Sequence, residues 1–220
     1  APPGGAVASG KYGIGLLSAA ATQAGGFNAL ASTWALAEEA AAEAGHSLDR
    51  SNWRVVGPMH IAETREQARE DVRHGIEEFV RYYAEVAALP IVPPGTDPIE
   101  AFIQSKFAVI GTPEDAVAQI QRLQEQSGGF GAYLLFDHNW ANWEAKKRSY
   151  ELIARHVRPH FQESNAIRCA SWDWGAKRRE GLIKEVQLGV AARTAQHIAE
   201  KGEGHINPDI LNALKGAQAG

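Results

Sequence analysis

Short apolar runs alternate with longer amphipathic segments along the first 160 residues of the chain. Apolar runs at residues 14–20, 53–62 and 132–136 predict three buried strands. The segments between them predict helices, because their apolar side chains recur every three or four residues. Helical segments separate the strands, so the pattern predicts a parallel sheet with right-handed crossovers. This order is typical of the α/β class.

Residues at the segment ends predict where the helices begin and end. Residues 1–13 are rich in Gly, Pro and Ala and predict a loop. Asn28 is a suitable N-cap for a helix that ends before Gly45. Thr64 and Thr112 are suitable N-caps for two further helices, the first of them long.

The sequence after about residue 163 predicts a helical tail. We therefore divide the sequence into residues 1–162 and a helical C-terminal extension, residues 163–220. Three strands alone form an open sheet with two exposed edges, which buries its helices poorly. Either a further segment supplies more strands, or this chain pairs with another chain.

Composition narrows the possible partners and compartment. The 220 residues carry a formal charge of -4 and no long basic run, which argues against nucleic acid as a partner. Cys169 is the only cysteine, and no Cys/His spacing is typical of a zinc site, so we predict no metal and a reducing, cytoplasmic setting. No apolar stretch approaches the roughly 20 residues that span a membrane.

Several segments, in their order and spacing, resemble the luciferase-like flavin-dependent monooxygenases. The resemblance is greatest to the limonene monooxygenase-like branch and covers almost the whole chain. It is carried by GKYGIGLLS at 10–18, SNWR at 51–54, GPMHIAET at 57–64, VIGTPED at 109–115, GAYLLFDHNWA at 131–141, RSYEL at 148–152, PHF at 159–161 and WDW at 172–174.

Family members are (β/α)8 TIM barrels, and this chain resembles only their C-terminal portion. The resemblance implies that the three predicted strands are barrel strands six, seven and eight, followed by the helical tail. It explains both the open sheet and the absence of an initiating Met. We therefore expect a partial barrel in residues 1–162.

The resemblance implies oxygenation of a hydrophobic small molecule by reduced FMN, which a separate flavin reductase supplies. In the family, a Ser-x-x-Gly-like turn helps to hold the phosphate. Gly4 and Gly5 lie at the corresponding place, but Pro2 stands where the hydroxyl donor is expected. Ser18, near the end of the first strand, is expected close to the flavin ring, or else it satisfies a backbone group.

Three ionisable residues near strand ends are candidates for the substrate pocket. His60 is expected to bind flavin or substrate or to act as an acid or base, or else to be a hydrogen-bonded structural histidine. Of Asp137 and His138, one faces the pocket because side chains alternate along a strand. Alternatively, Asp137 or Asn139 caps the next helix. No catalytic residue is assigned, since no serine or cysteine lies beside a suitable base.

The sequence therefore predicts a flavin-dependent monooxygenase that is incomplete as this chain, with weak or absent catalysis when alone. Two alternatives remain open. One is a non-catalytic half-barrel that binds flavin or a partner and assembles as a homo-oligomer. The other is a deazaflavin-dependent oxidoreductase, since the same barrel family contains such enzymes.

Overall fold

The computed structural model describes residues 3–162, 165–209 and 211. The chain divides into two compact units, Ala1–Gln162 and Glu163–Gly220. Within the described residues, every strand lies in the first unit and the second unit is helical. None of the described helices is both long and apolar enough to cross a membrane.

Five short strands form two parallel sheets in the first unit. They are β1 (Leu16–Ser18), β2 (Trp53–Gly57), β3 (Met59–Ile61), β4 (Val109–Gly111) and β5 (Ala132–Leu135). The larger sheet has the order β1-β2-β5, and β3 pairs with β4. Every pairing is parallel. The predicted parallel arrangement is confirmed.

The strand expected in residues 53–62 is interrupted at Pro58, which separates β2 from β3. Proline has no backbone N–H and cannot donate to a sheet ladder. Its carbonyl oxygen instead accepts a hydrogen bond from the Val109 N–H at 3.2 Å. This contact belongs to the start of β4, a strand that the apolar pattern did not predict.

Eleven α-helices are found in the described residues. In the first unit they are α1 (Gly4–Tyr12), α2 (Ala24–Asn28), α3 (Leu30–Glu43), α4 (Arg65–Val72), α5 (Ile76–Glu85), α6 (Pro98–Gln104), α7 (Pro113–Ser127), α8 (Trp143–Leu152) and α9 (Arg158–Gln162). A π-helical turn, Ile153–Val157, joins α8 to α9. The second unit contains α10 (Ala166–Lys177) and α11 (Arg179–Lys201).

The loop predicted for residues 1–13 is wrong where the structure describes it, because Gly4–Tyr12 is helix α1. Glycine weakens an isolated helix, so local propensity argues against α1. Tertiary packing overrides it: Ala6 joins the cluster of Trp34 and Ala37 on α3. A Cβ at Gly10 would overlap the Ala37 carbonyl oxygen, so a glycine there permits the close approach of the two helices.

The helix start at Asn28 is also wrong, since α2 ends at Asn28 and α3 begins at Leu30. The long helix expected after Thr64 is two helices, α4 and α5. The break lies at Gly75, whose N–H donates to the Trp140 carbonyl at 2.8 Å. A Cβ at Gly75 would overlap the Asn139 carbonyl oxygen. Contact with a distant segment therefore sets this boundary.

The helix caps at Thr64 and Thr112 are confirmed. The Thr64 hydroxyl accepts from the Gln67 N–H at 3.1 Å, and Thr112 forms a capping box with Asp115. Such caps satisfy N–H groups that have no partner within the helix.

The β1-β2-β5 sheet has one covered face and one open face. Trp53 and Val55 are buried against the helices, and the Trp53 indole stacks on Trp34 with centroids 5.1 Å apart. On the other face, Leu17 and Leu134 are 57% and 42% exposed. Val56 lies beside Leu134 in register and is half-buried. We call Leu17, Val56 and Leu134 the open sheet face.

Candidate functional site

The structure brings His60 and His138 to the same place, beyond the carboxyl ends of β2 and β5. His60 is the middle residue of β3, and His138 follows β5 by three residues. His138 Nε2 lies 3.3 Å from the carbonyl oxygen of Met59, the residue before His60. We call His60 and His138 the histidine pair.

The partners of His138 define its tautomer. A carbonyl oxygen only accepts hydrogen bonds, so we assign the proton to Nε2, which donates to Met59. Nδ1 then accepts from the Trp140 backbone N–H at 3.4 Å. The imidazole also stacks on the Trp140 indole, with centroids 3.7 Å apart. Burial lowers the pKa of His138 to about 4, although the Met59 carbonyl opposes the change. His138 is therefore neutral at pH 7.

His60 is held from helix α4. Its Nε2 lies 3.0 Å from Asp71 Oδ2, and the Gln67 side-chain amide donates to Asp71 Oδ1 at 2.7 Å. Because the carboxylate accepts, we place the proton of neutral His60 on Nε2. Burial lowers the pKa of His60, and Asp71 opposes that effect without cancelling it. The structure thus gives His60 a hydrogen-bonded, buried setting.

The Asp137 side chain is largely exposed. Its carboxylate forms an ion pair with Lys146 at 2.9 Å and accepts from the Tyr150 hydroxyl at 3.1 Å. Burial alone would raise the pKa of Asp137, but the hydrogen bonds from Lys146 and Tyr150 outweigh it and lower the pKa. The alternative in which Asp137 or Asn139 caps the next helix is wrong, since Asn142 caps α8.

Ser18 ends β1, and its hydroxyl accepts a hydrogen bond from the Trp53 indole N–H at 3.0 Å. The partner is a side chain rather than the backbone group that the sequence suggested. No hydrogen bond joins Ser18 to His60 or His138 within the described residues.

Gly4 and Gly5 form the first turn of α1, which corrects the expected loop setting. A Cβ on either glycine would meet nothing within 4 Å, so the space around this helix end is open. The departure noted at Pro2 lies outside the described residues. Of the six candidate residues, His60 and His138 come together from distant parts of the chain, through the bond of His138 to the Met59 carbonyl and their electrostatic interaction.

Sequence reasoning missed three residues that support this region. Asp71 holds His60, Trp140 stacks on His138, and the buried Ser149 hydroxyl accepts from the Ile61 N–H at 2.9 Å. Asp71 follows the Thr64 cap on α4, which is the only local signal for it. Trp140 belongs to the segment 131–141 that carries the family resemblance, and its contact partner His138 lies two residues away. Nothing near Ser149 in the sequence indicates a link to β3.

Two buried polar atoms near the strand ends have no hydrogen-bond partner in the described part of the chain. They are the indole nitrogen of Trp140 and the hydroxyl of Tyr133. A Cβ at Gly57 would overlap that hydroxyl, so a glycine on β2 leaves room for it. The described residues contain no group of three His, Cys, Asp or Glu side chains placed to hold a metal ion.

Two of the solved structures that are similar to this fold are monooxygenases. The FMN complex of the oxygenating constituent of 3,6-diketocamphane monooxygenase from Pseudomonas putida, a type II Baeyer-Villiger enzyme, matches 70% of this chain and 44% of its own chain. Its TM-score is 0.51 and its identity 26%. The monooxygenase RslO1 from Streptomyces bottropensis matches 72% and 45%, with a TM-score of 0.56 and 23% identity, which supports the fold. The chain is similar to monooxygenases, one of them an FMN complex, as the resemblance of its residues predicted.

Among characterised relatives, limonene 1,2-monooxygenase of Rhodococcus erythropolis is 49% identical over 160 residues, which cover 72% of this chain and 41% of the relative. The 4-hydroxyprotoasukamycin monooxygenase of Streptomyces nodosus subsp. asukaensis is 35% identical over 178 residues, covering 77% and 47%. The chain thus spans less than half the length of these relatives, which fits a C-terminal portion. No protein-family model matches the chain.

Proposed function

We propose that this chain supplies part of a flavin-dependent monooxygenase that oxygenates a hydrophobic small molecule. The single observation that carries this proposal is the 49% identity to limonene 1,2-monooxygenase over 160 residues. The order β1-β2-β5 supports an assignment to strands six, seven and eight of a (β/α)8 barrel, because consecutive barrel strands are neighbours. The open sheet face then lines the interior of the barrel.

FMN is the proposed cofactor, and the residues of this chain fit such a group. The open sheet face presents the apolar side chains of Leu17, Val56 and Leu134, and Arg54 lies on the same face, beside Leu17 in register, as a hydrogen-bond donor. A flavin ring offers an apolar plane and carbonyl acceptors to such groups. When bound, reduced FMN would supply the activation of oxygen.

The phosphate of FMN is proposed to lie at the N-terminus of α1. The first N–H groups of a helix have no partner within it, and the helix dipole favours an anion there. Gly4 and Gly5 leave the approach open. This placement replaces the loop that the sequence suggested but keeps the same two residues. Ser18 is proposed to lie beside the flavin at the carboxyl end of β1, although its hydroxyl is bonded to Trp53 on the covered face of the sheet.

His60 and His138 are proposed to form the wall of the substrate pocket, together with Asp137 at its exposed rim. Burial keeps the two imidazoles neutral at pH 7, so neither adds a charge to a pocket for a hydrophobic substrate. Asp71 and Met59 fix the orientation of the rings. A flavin reductase is proposed as the source of reduced FMN, in the cytoplasm.

Fragment complementation tests this function. The chain is combined with the part of Rhodococcus limonene 1,2-monooxygenase that it does not match, and FMN binding and limonene oxidation are measured with a flavin reductase. We expect weak FMN binding and no turnover by the chain alone, since it spans 41% of that relative. The combined chains should bind FMN and form oxygenated product. If the chain alone binds FMN stoichiometrically and turns over limonene, the proposal that its site is incomplete is wrong. If neither the chain alone nor the combined chains show activity, the proposed function is wrong.

A second candidate is a non-catalytic half-barrel that pairs with a second copy of itself. The observation that favours it is the open sheet face, where Leu17 and Leu134 are exposed. Burying such surface stabilises an association. Light scattering after size exclusion distinguishes this candidate, because it requires a soluble dimer, whereas an incomplete enzyme does not.

A further inference from the structure

A groove lined by cationic side chains runs along β4 between α4 and α7. Its volume is about 260 Å³. Arg65 and Arg69 come from α4, Asp115 and Arg122 from α7, and Lys106 from the turn before β4. These five groups carry a formal charge of +3, whereas the whole chain carries -4. A cleft lined mainly by one sign of charge concentrates ions of the opposite sign.

Two of the four cations are already paired. Arg65 forms two hydrogen bonds to the Asp115 carboxylate, at 2.7 and 2.9 Å. Arg69 donates to Glu100 at 3.1 Å. By contrast, neither Lys106 nor Arg122 has a carboxylate partner among the described residues. The uncompensated charge of the groove is therefore that of Lys106 and Arg122.

Arg122 is held in place by two contacts and has a hydrogen-bond donor without a described partner. Its Nε donates to Gln119 Oε1 at 3.1 Å, and its guanidinium lies over the Phe27 ring, 3.9 Å from the centroid. Its Nη2 is buried without a hydrogen-bond partner in the described structure. Burial lowers the pKa of Arg122, which reflects the cost of holding this charge away from water. An anion in the groove would offset that cost.

Lys106 is linked to Arg122 through one buried side chain. The Gln119 amide nitrogen donates to the Lys106 carbonyl at 2.9 Å, while its oxygen accepts from Arg122. Lys106 has a φ of +55°, in the left-handed region that non-glycine residues rarely adopt. This conformation belongs to the end of α6, where the Lys106 N–H donates to the Ile103 carbonyl at 3.1 Å. Gln119 thus holds the Arg122 side chain and the Lys106 backbone from a single buried position.

We propose that this groove binds the phosphate or pyrophosphate group of a phosphorylated small molecule, contacted directly by Lys106 and Arg122. Arginine binds such oxyanions with several charge-assisted hydrogen bonds. Ala108, Val109 and Ile110 form an apolar floor that suits a compact apolar part of the ligand. This inference goes beyond the proposed monooxygenase function and does not depend on it.

Calorimetric titration of the full chain with inorganic pyrophosphate at constant ionic strength tests the proposal. We expect saturable binding that Lys106→Gln and Arg122→Gln each weaken about tenfold or more, since each removes a charge-assisted contact. Arg81→Gln is the matched control, because Arg81 lies on α5 outside the groove and pairs with Glu78. Circular dichroism verifies that each variant is folded. The proposal would be overturned if pyrophosphate did not bind saturably, or if Lys106→Gln bound it as tightly as the unaltered chain does.

Competition with FMN and with riboflavin identifies the source of the phosphate. If FMN displaces pyrophosphate and riboflavin does not, the groove takes the phosphate of FMN, and the placement of that phosphate at the N-terminus of α1 is wrong. If neither flavin displaces it, the groove takes another phosphate ester, and both results support the anion site. Displacement by riboflavin as effectively as by FMN would overturn it, because riboflavin has no phosphate.

Discussion

His60 donates a hydrogen bond to the Asp71 carboxylate across 3.0 Å, with only 2% of the histidine side chain exposed. The pair joins β3 to α4 and leaves one imidazole nitrogen of His60 free of Asp71. A neutral histidine held by a carboxylate has a defined tautomer and ring orientation. The same relationship therefore stabilises the fold and orients a residue of the proposed pocket.

Replacing Asp71 tests this pair. Asp71→Ala should lower the free energy of unfolding by about 1–3 kcal/mol, because it leaves a buried imidazole donor without its acceptor. The same change should lower the pKa of His60 further, since Asp71 raises it. Urea unfolding and NMR titration measure the two effects. Glu70→Ala, which breaks an exposed ion pair with Arg73 on the same helix, should change stability by less than about 0.5 kcal/mol. Equal effects of the two changes would contradict the role of Asp71.

The lowered pKa of His138 predicts how the stability of the fold depends on pH. Its pKa falls from 6.5 to about 4 on folding, so between these values the unfolded chain binds more protons than the folded chain. The contribution of His138 to the free energy of unfolding is complete above pH 6.5. It decreases by up to about 3 kcal/mol as the pH falls towards 4. Urea unfolding from pH 4 to 7 measures it. His138→Gln, which cannot titrate, should show a weaker loss of stability at low pH. An identical pH profile for both chains would refute the assignment.

Gly10 and Gly5 form a matched pair of glycines in α1. Gly10→Ala should destabilise the chain by about 1–3 kcal/mol, because its Cβ would overlap the Ala37 carbonyl. Gly5→Ala should instead be neutral or stabilising by up to about 1 kcal/mol, since its Cβ meets open space and alanine favours helix. Thermal unfolding of both variants measures the difference. Equal stability would show that α1 does not pack closely on α3.

Ser18→Ala separates a structural role from a role in binding. The change removes the acceptor of the Trp53 indole N–H, which should cost about 1–2 kcal/mol of stability. If Ser18 also contacts flavin, FMN binding by the complemented protein should weaken at a temperature where both proteins remain folded. Ser18→Thr keeps the hydroxyl and should restore the stability and the binding. If Ser18→Ala lowers stability but leaves FMN affinity unchanged, Ser18 has only the structural role of accepting the Trp53 hydrogen bond.

The elements that the sequence predicted correctly depend on short-range signals. The apolar runs in residues 14–20 and 132–136 each contain a strand, because continuous apolar side chains suit a strand covered by helices. Thr64 and Thr112 cap their helices because a cap involves residues only two or three apart. Strand β4 was missed because three residues carry no period, and it forms only by pairing with β3.

The candidate site was predicted in part. His60 and His138 were identified as strand-end residues, but their proximity was not, since His138 and its partner Met59 are 79 residues apart. Local preference predicts a loop for the adjacent glycines at positions 4 and 5, because glycine disfavours helix. Their helix exists because α1 packs on α3, which no local pattern near residue 5 records.

By itself, the sequence determined the α/β class, the helix caps at Thr64 and Thr112 and the resemblance to flavin-dependent monooxygenases, because these depend on residue types within a few positions or on motif order. Only the tertiary structure decided the helix break at Gly75, the tautomers of His60 and His138, and the open sheet face. Each of these depends on atoms that the fold brings together from distant parts of the chain. Hydrogen bonding and steric exclusion act at those contacts and override local preference.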